Sequence, residues 1–200
     1  MLAKLLKAYS MFEQSILMMM TTIVLLSGGV DSTACAHYML KRNHRVTPLF
    51  VDYGQRAAIP EHRAASGICD ALGLTLQCVK SITGRSFGVG EITGRNAFLI
   101  MAATMSAVYN EPCQIALGIH SGTSYYDCSP AFLGTVNRLL LEQSDGRARA
   151  VAPFLTWSKG DVFSYFEDNG LPWALVYSCE AGKMPPCGEC GSCRGRMRIG

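Results

Sequence analysis

The chain has 200 residues, 49% of them hydrophobic and 16% charged, with a formal net charge of +3. That length buries one core without disulfide support, so a single compact unit is expected. The charge is too slight and too dispersed for a nucleic-acid partner, where dense Lys and Arg are needed; only Arg194, Arg196 and Arg198 form a locally basic stretch, which reads as a solvated tail.

Residues 1–20 read as an N-terminal extension. Lys4 and Lys7 precede an apolar stretch at 16–20, as in a secretory leader, but Glu13 and Thr21-Thr22 interrupt the pattern and no small-residue cleavage site follows. The stretch is too short and broken to cross a bilayer, so no membrane association is expected. An upstream start is implied, with Met11 or one of Met18, Met19 and Met20 as the alternative first residue.

From residue 21 to 170, short apolar runs alternate with helical patterns. Residues 22–26 are β-branched and apolar and predict a buried strand. Ala34, Cys35, Tyr38 and Met39 then recur at helical spacing between Asp31 and Lys41. Residues 46–51 predict a second strand, blemished by Pro48. Pro60 sits in the first turn of a helix that runs to Leu72 and is ended by Gly73. A third strand is predicted at 74–79, a long Ala- and Met-rich helix at 96–109, and a fourth strand at 114–119. A helix at 131–141, a short fifth strand at 148–152 and an amphipathic helix at 159–169, stopped by Gly170 and Pro172, complete the pattern. Such alternation predicts an α/β fold: a Rossmann-like parallel sheet of about five strands with helices on both faces. Ligands of such sheets bind at the carboxyl ends of the strands.

The segment Ser27-Gly28-Gly29-Val30-Asp31-Ser32 lies in that position, between the first strand and the first helix. Gly28 and Gly29 let the backbone approach phosphates without Cβ atoms, and the unpaired amides of the helix start attract an anion. Ser27 and Ser32 add hydroxyl donors. A carboxylate beside phosphates is repulsive unless a cation or donor network intervenes, so Asp31 is assigned either to Mg2+ coordination or to holding the loop's shape. The chain lacks the Gly-Lys-Ser/Thr of a Walker loop, the G-x-G-x-x-G fingerprint and the G-x-S-x-G elbow.

Nine cysteines are present. Cys35, Cys69, Cys78, Cys113 and Cys128 sit singly in apolar segments and read as buried thiols of a reducing compartment, the cytoplasm. The other four form Cys179-x7-Cys187-x2-Cys190-x2-Cys193, within the segment 171–200. Four thiolates suit a closed structural Zn2+ site, with an iron–sulfur cluster as the chemical rival. A zinc ribbon that binds nucleic acid or protein is the rival of a different class; the phosphate loop argues against that as the whole account. Arg56 and Arg95 lie on loops after strands, where a cation can hold phosphate or carboxylate, and His120 stands at a strand end as a base or substrate contact. His37, His44 and His62 show no pattern and are expected on helix or loop surfaces.

The hexapeptide at 27–32 resembles the signature of the N-type ATP pyrophosphatases, which adenylate a substrate and release pyrophosphate. With Val51-Asp52-Tyr53-Gly54-Gln55-Arg56, Gly94-Arg95-Asn96-Ala97-Phe98-Leu99, Ser178-Cys179 and Cys187-Gly188-Glu189-Cys190-Gly191-Ser192-Cys193-Arg194, the chain resembles the 7-cyano-7-deazaguanine synthase (QueC-like) family over about residues 22–197. The resemblance implies an adenine nucleotide alpha-hydrolase-like fold with a small C-terminal zinc-binding subdomain, and a homodimer. It implies that ATP adenylates the carboxylate of 7-carboxy-7-deazaguanine, that ammonia forms the amide, and that a second ATP activates the amide oxygen for loss, giving the nitrile. ATP would be held by Leu26, Ser27, Gly28, Gly29, Asp31, Ser32, Thr33, Asp52 and Gln55. The substrate would meet Tyr53, Arg56, Arg95, Asn96 and Asp127, and catalysis would rest on Asp31, Arg95, Lys159 and His120. ATP, Mg2+ and Zn2+ are the implied cofactors.

Departures from that family cluster where the acid should sit. Ala57 stands where the family has His, Pro60 intrudes before Glu61, and only residues 80–93 link the third strand to Gly94. His120-Ser121-Gly122-Thr123-Ser124 replaces an acidic run, and Ser129 replaces an Arg after Asp127-Cys128. Two other readings therefore stand beside the synthase. One is a diverged enzyme that adenylates a deazapurine or other acid and stops at an amide or conjugates it to another amine, including one on a protein. The other is a non-enzymatic zinc-binding interaction module.

Overall fold

The structure, a computed structural model, describes residues 20–81, 87–107 and 112–197. The N-terminal extension before Met20, Tyr109 and Arg198 lie outside the described residues. Five strands form one sheet in the order β3-β2-β1-β4-β5: β1 (Thr21–Leu25), β2 (Arg45–Asp52), β3 (Gln77–Lys80), β4 (Cys113–Ala116) and β5 (Ala148–Val151). Every pairing is parallel. The helices are α1 (Val30–Leu40), α2 (Ala58–Leu72), α3 (Arg95–Ser106), α4 (Pro130–Gln143), α5 (Lys159–Asp168) and α6 (Gly191–Met197).

Strand alternation assigns the two cores. Val24 and Leu26 point to one face, where they pack with Ala34 and Cys35 of α1, Ile68 of α2 and Val162 and Phe166 of α5. Ile23 and Leu25 point to the other, against Ile100 of α3 and Phe132, Val136 and Leu140 of α4. β1 is thus covered on both faces, as its unbroken apolar run requires. Burial of a side chain such as Phe154 or Phe166, each 0% exposed, contributes about 1.5–3 kcal/mol.

Pro48 sits in β2, opposite Val24 of β1. The neighbouring Leu49 carbonyl accepts from Leu26 N–H at 2.9 Å, so Leu49 addresses β1 and Pro48 turns its missing N–H to the β3 side. Pairing with β3 starts only at Leu49 and Gln77. At Pro48 β2 thus lacks the donor that would extend the ladder one step earlier, so β3 begins at Gln77 instead of residue 74, and Leu74 and Leu76 pack instead against the α1–α2 core. The helix expected at 96–109 ends as α3 at Ser106. There the Thr104 and Ser106 hydroxyls donate to the Met101 and Ala102 carbonyls at 2.6 and 3.0 Å, and Ala107 is extended. Cys78, expected to be buried, is exposed because β3 is an edge strand.

Candidate active site and metal centre

β1 delivers the chain at Leu26 into a tight turn, and α1 starts one residue after Gly29. Gly28 has φ +79°, and a Cβ built there would lie 2.7 Å from both Ala64 Cβ and Ala65 N of α2. The loop is therefore pressed onto α2 at a place that only glycine fits. No side chain caps α1 at Gly29, which leaves its first-turn amides for an anion. The hydroxyls brace the loop from within: Ser27 N–H donates to Ser32 Oγ at 3.2 Å, and Ser32 Oγ and Thr33 Oγ1 donate to the Gly29 carbonyl at 3.1 and 2.8 Å.

Above the carboxyl ends of β1, β2 and β4 opens a cavity of about 600 Å³. Leu26, Ser27, Gly29, Asp31, Ser32, Tyr53, Gln55, Arg95, Asn96, His120 and Lys159 line it. The remaining expected residues stand off its wall. Gly28 faces α2, and Thr33 is fully buried behind the loop. Asp52 caps its own turn, accepting from Gly54 N–H at 3.0 Å. Arg56 is exposed, and Asp127 is buried behind Asn96, accepting from its N–H at 3.2 Å.

The carboxylate of Asp31 meets a cation from 128 residues away. Lys159 Nζ lies 2.5 Å from Oδ1 and 2.6 Å from Oδ2, so both oxygens are engaged and the negative charge beside the phosphate loop is offset. Lys159 is the first residue of α5, whose start is fixed by a capping box: Asp161 N–H donates to Ser158 Oγ at 3.1 Å and Ser158 N–H to Asp161 Oδ2 at 2.7 Å. His120 is buried, with Nε2 3.9 Å from Asp31 Oδ2. Gly122 N–H donates to its Nδ1 at 3.0 Å, which leaves the proton of the neutral ring on Nε2. Burial holds its pKa below the ordinary 6.5, Asp31 pulls it up and Lys159 pushes it down. His120 thus turns its Nε2 toward the Asp31 carboxylate, at a distance beyond a direct hydrogen bond.

Residues that the sequence reading left unassigned complete the wall. Glu61, in the first turn of α2, accepts from Gln55 Nε2 at 3.0 Å. Burial raises its carboxyl pKa, while Gln55 and then Arg95 lower it and Glu180 raises it. Glu180 accepts from Ser192 N–H and Oγ at 3.1 and 2.8 Å and from Gly90 N–H at 3.0 Å. Arg95 lines the same cavity, and its buried Nε has no hydrogen-bond partner among the described residues. The only sequence signals were position: Glu61 follows Pro60, and Glu180 follows Cys179.

The four clustered cysteines converge, with their Sγ atoms all within 4.8 Å of one another and those of Cys187 and Cys193 4.0 Å apart. A tetrahedral zinc with bonds of about 2.3 Å needs sulfurs about 3.8 Å apart, so a slight contraction closes the cage around one ion. Backbone N–H groups point at the sulfurs, Cys187 N–H to Cys179 at 3.3 Å and Cys190 N–H to Cys187 at 3.4 Å. Burial raises the Cys179 thiol, but N–H donors led by Cys187 and Lys183 outweigh it and bring the pKa to about 6. Burial pushes Cys193 up to about 12. Four sulfurs gathered this closely fit a single soft cation, which would draw the proton from Cys193 on binding.

The family model of the queuosine biosynthesis protein QueC matches residues 21–91 and 80–199, which span the loop, the cavity and the cysteines. The chain belongs to the QueC family. The 7-cyano-7-deazaguanine synthase of Halobacterium salinarum (strain ATCC 29341 / DSM 671 / R1) is 30% identical over 203 residues, 88% of this chain and 89% of that protein. That of Synechococcus sp. (strain RCC307) is 32% identical over 203 residues, 87% of this chain and 91% of that protein. Among solved structures, the U34-tRNA thiolase NcsA from Methanococcus maripaludis, described with its [4Fe-4S] cluster, superposes with a TM-score of 0.53 at 17% identity. That match covers 90% of this chain and 71% of the thiolase, and shows a shared fold.

Ala57, where the QueC resemblance leads one to expect His, is 2% exposed and packs against Cys179, Cys190 and Cys193. The altered run at 120–124 lines the cavity through His120, Gly122, Thr123 and Ser124. Among the described residues, no helix is long and apolar enough to cross a membrane.

Proposed function

We propose that this QueC-family chain is an ATP-dependent ligase that converts 7-carboxy-7-deazaguanine and ammonia into 7-cyano-7-deazaguanine in the cytoplasm. The observation that carries the reading is the uncapped start of α1 at Gly29, opening on the same cavity as Lys159, Arg95 and the carboxylates Glu61 and Glu180. In the first half, a carboxylate oxygen attacks the α-phosphorus of ATP and the bond to the β-phosphate breaks, releasing pyrophosphate. Ammonia then adds to the acyl carbon, AMP departs and a proton is lost, giving the amide. In the second half the amide oxygen attacks a second ATP, pyrophosphate leaves, and loss of AMP and protons leaves the nitrile.

The chain's own groups fit these steps. The first-turn amides of α1, with Ser27 and Ser32, receive the phosphates. Mg2+ bound with ATP supplies further neutralisation of the departing pyrophosphate. Lys159 keeps the Asp31 carboxylate from repelling that charge, and His120 adds a donor from Nε2. Arg95, which lines the cavity with Glu61 and Glu180, offers its guanidinium to the substrate carboxylate, with Asn96 and Tyr53 in the same lining. In this reading residues 21–170 form the nucleotide domain and residues 171–200 a zinc-binding segment. A structural zinc held by Cys179, Cys187, Cys190 and Cys193 would fix the wall from Tyr177 to Glu180.

Incubation of the pure chain with 7-carboxy-7-deazaguanine, ammonium and Mg·ATP tests the proposal by mass spectrometry. The expected products are the nitrile and about two AMP per nitrile, the stoichiometry of two activations. AMP release with other acids only would overturn it. Arrest at the amide, or a deazapurine adduct on a protein amine, would instead establish the diverged reading motivated by residues 120–124.

A further inference from the structure

On the α1 face of the sheet, along the edge strand β5, lies a second cavity, about 340 Å³ in volume, whose polar lining is Tyr38, Arg42, His44, Gln114 and Arg149. Strand alternation makes its floor unusual. Thr22, Gln114 and Arg149 are register neighbours across β1, β4 and β5. They share the parity of Val24, Ala116 and Val151, which pack into the α1–α5 core. Three adjacent positions of core-facing parity are therefore polar or charged, and Thr22 and Gln114 are only 0% and 6% exposed. A break in the binary pattern without a packing gain marks a site under another demand.

The cations of this cleft are held by uncharged partners. The Arg42 guanidinium lies 3.5 Å above the Tyr38 ring. His44 Nδ1 is 2.7 Å from Thr22 Oγ1, which leaves Nε2 unspent. Gln114, its amide oxygen turned to β5, accepts from Arg149 Nε at 3.1 Å. None of the described residues lining the cavity is acidic. Burial and then Arg42 and Arg149 hold the His44 pKa down, so both positive charges reach the imidazole. Nor are the side chains needed to satisfy the carboxyl end of α1. The His37, Met39 and Leu40 carbonyls already accept from the amides of Lys41, Arg42, Asn43 and His44.

We propose that Arg42, His44 and Arg149 form a phosphate-binding cleft, separate from the cavity at the carboxyl ends of the strands. Two guanidinium groups and one inducible imidazolium lining one cavity match a phosphate dianion in charge and supply N–H donors for its oxygens. The group arrives either as free phosphate or pyrophosphate, or as the terminal phosphate of a nucleotide.

The test follows the His44 ring by NMR in the full chain, assigned through His44→Gln, while inorganic phosphate, pyrophosphate or AMP is added. Saturation is expected to raise the His44 pKa by about one unit, since an adjacent dianion favours the imidazolium. Arg149→Met should weaken binding about 10-fold or more, the loss typical of a charge-assisted bond, and Arg149→Lys less. Arg42→Gln gives the same reading should Arg149→Met fail to fold. Ser32→Ala, in the phosphate loop of the other cavity, should leave the His44 response intact. A response to AMP alone assigns the cleft to nucleotides, and a response to the inorganic ions assigns it to the free anion. An unmoved His44 resonance with all three, or an equal response in Arg149→Met and Arg42→Gln, overturns the proposal and leaves the arginines a purely structural role.

Discussion

Replacing Gly28 by alanine isolates how tightly the phosphate loop is held. Two costs combine. The left-handed φ of +79° costs an L-residue about 1–2 kcal/mol. The new methyl also meets Ala64 Cβ and Ala65 N at 2.7 Å and the Glu61 carbonyl at 2.8 Å, two of them backbone atoms that cannot swing away. Overpacking of this kind costs about 1–3 kcal/mol. The sum, about 2–5 kcal/mol, lowers the melting temperature by about 4–20 °C, taking about 2–4 °C per kcal/mol for a chain of this size. Gly73 supplies the internal control: its φ is +67°, but nothing lies within 4 Å of a built Cβ. Gly73→Ala should therefore show the conformational cost alone, about 2–8 °C. Calorimetric melting of both variants measures the difference, and titration with Mg·ATP measures its consequence. A loop lifted from α2 tilts the first-turn amides of α1, so Gly28→Ala should bind ATP about 10-fold more weakly while Gly73→Ala binds it normally. Equal melting temperatures for the two variants, with native ATP affinity in both, would refute the argument.

Other perturbations reach the same site from different sides. Lys159→Met leaves the Asp31 carboxylate uncompensated beside the phosphate loop and should lower kcat/KM for AMP formation about 10–100-fold; the added change Asp31→Asn should restore part of it, and a double variant no better than the single one would contradict the pairing. The purified chain should carry about one zinc by elemental analysis, lost in Cys187→Ser together with a lower melting temperature; iron with visible absorbance would mean a cluster instead. The His120 pKa is lowered in the fold, so on acidification the unfolded chain takes up the proton first. Its contribution is complete above the ordinary value of 6.5 and is lost as pH falls through it toward the folded value. Denaturant midpoints should fall between pH 7.5 and 5.5, and less steeply in His120→Gln; His37 and His44, shifted the same way, supply the remaining slope.

The residues that were legible in the sequence are those whose role is local. The turn after β1, the helix start at Gly29 and the spacing of the four cysteines are each set within a few residues, and pattern reading found them. Parallel sheet and helix layers followed from the alternation of apolar runs, because a strand buried on both faces must be apolar throughout. Strand ends were harder. β3 starts where it does because of Pro48 on a neighbouring strand, a constraint invisible within residues 74–79 themselves. The Asp31–Lys159 pair spans 128 residues, so sequence marked both members but not their contact. Glu61 and Glu180 had no motif at all: each becomes a wall of the cavity only because α2 and the cysteine segment fold against the loop. His44, without pattern in the sequence, gained meaning only from its register neighbours.

That packing gives the cysteine cluster a consequence beyond local stability. Tyr177, two residues before Cys179, donates its N–H to the Gly28 carbonyl at 2.9 Å, tying the metal segment to the phosphate loop by one hydrogen bond. Ala64 belongs to the apolar cluster around Cys179, Cys190 and Cys193, and it is also the residue whose Cβ a side chain at Gly28 would strike. A second tie runs through Gly182, where a built Cβ would overlap the Arg56 carbonyl, so the segment after Cys179 is laid directly on the loop that carries Tyr53 and Gln55. The third is Glu180, held by Ser192 at the start of α6 and by Gly90 ahead of α3. Residues 177–182 thus touch the elements around the cavity at three places, through Tyr177, Gly182 and Glu180. The cysteine cluster and the cavity wall are therefore packed as one unit.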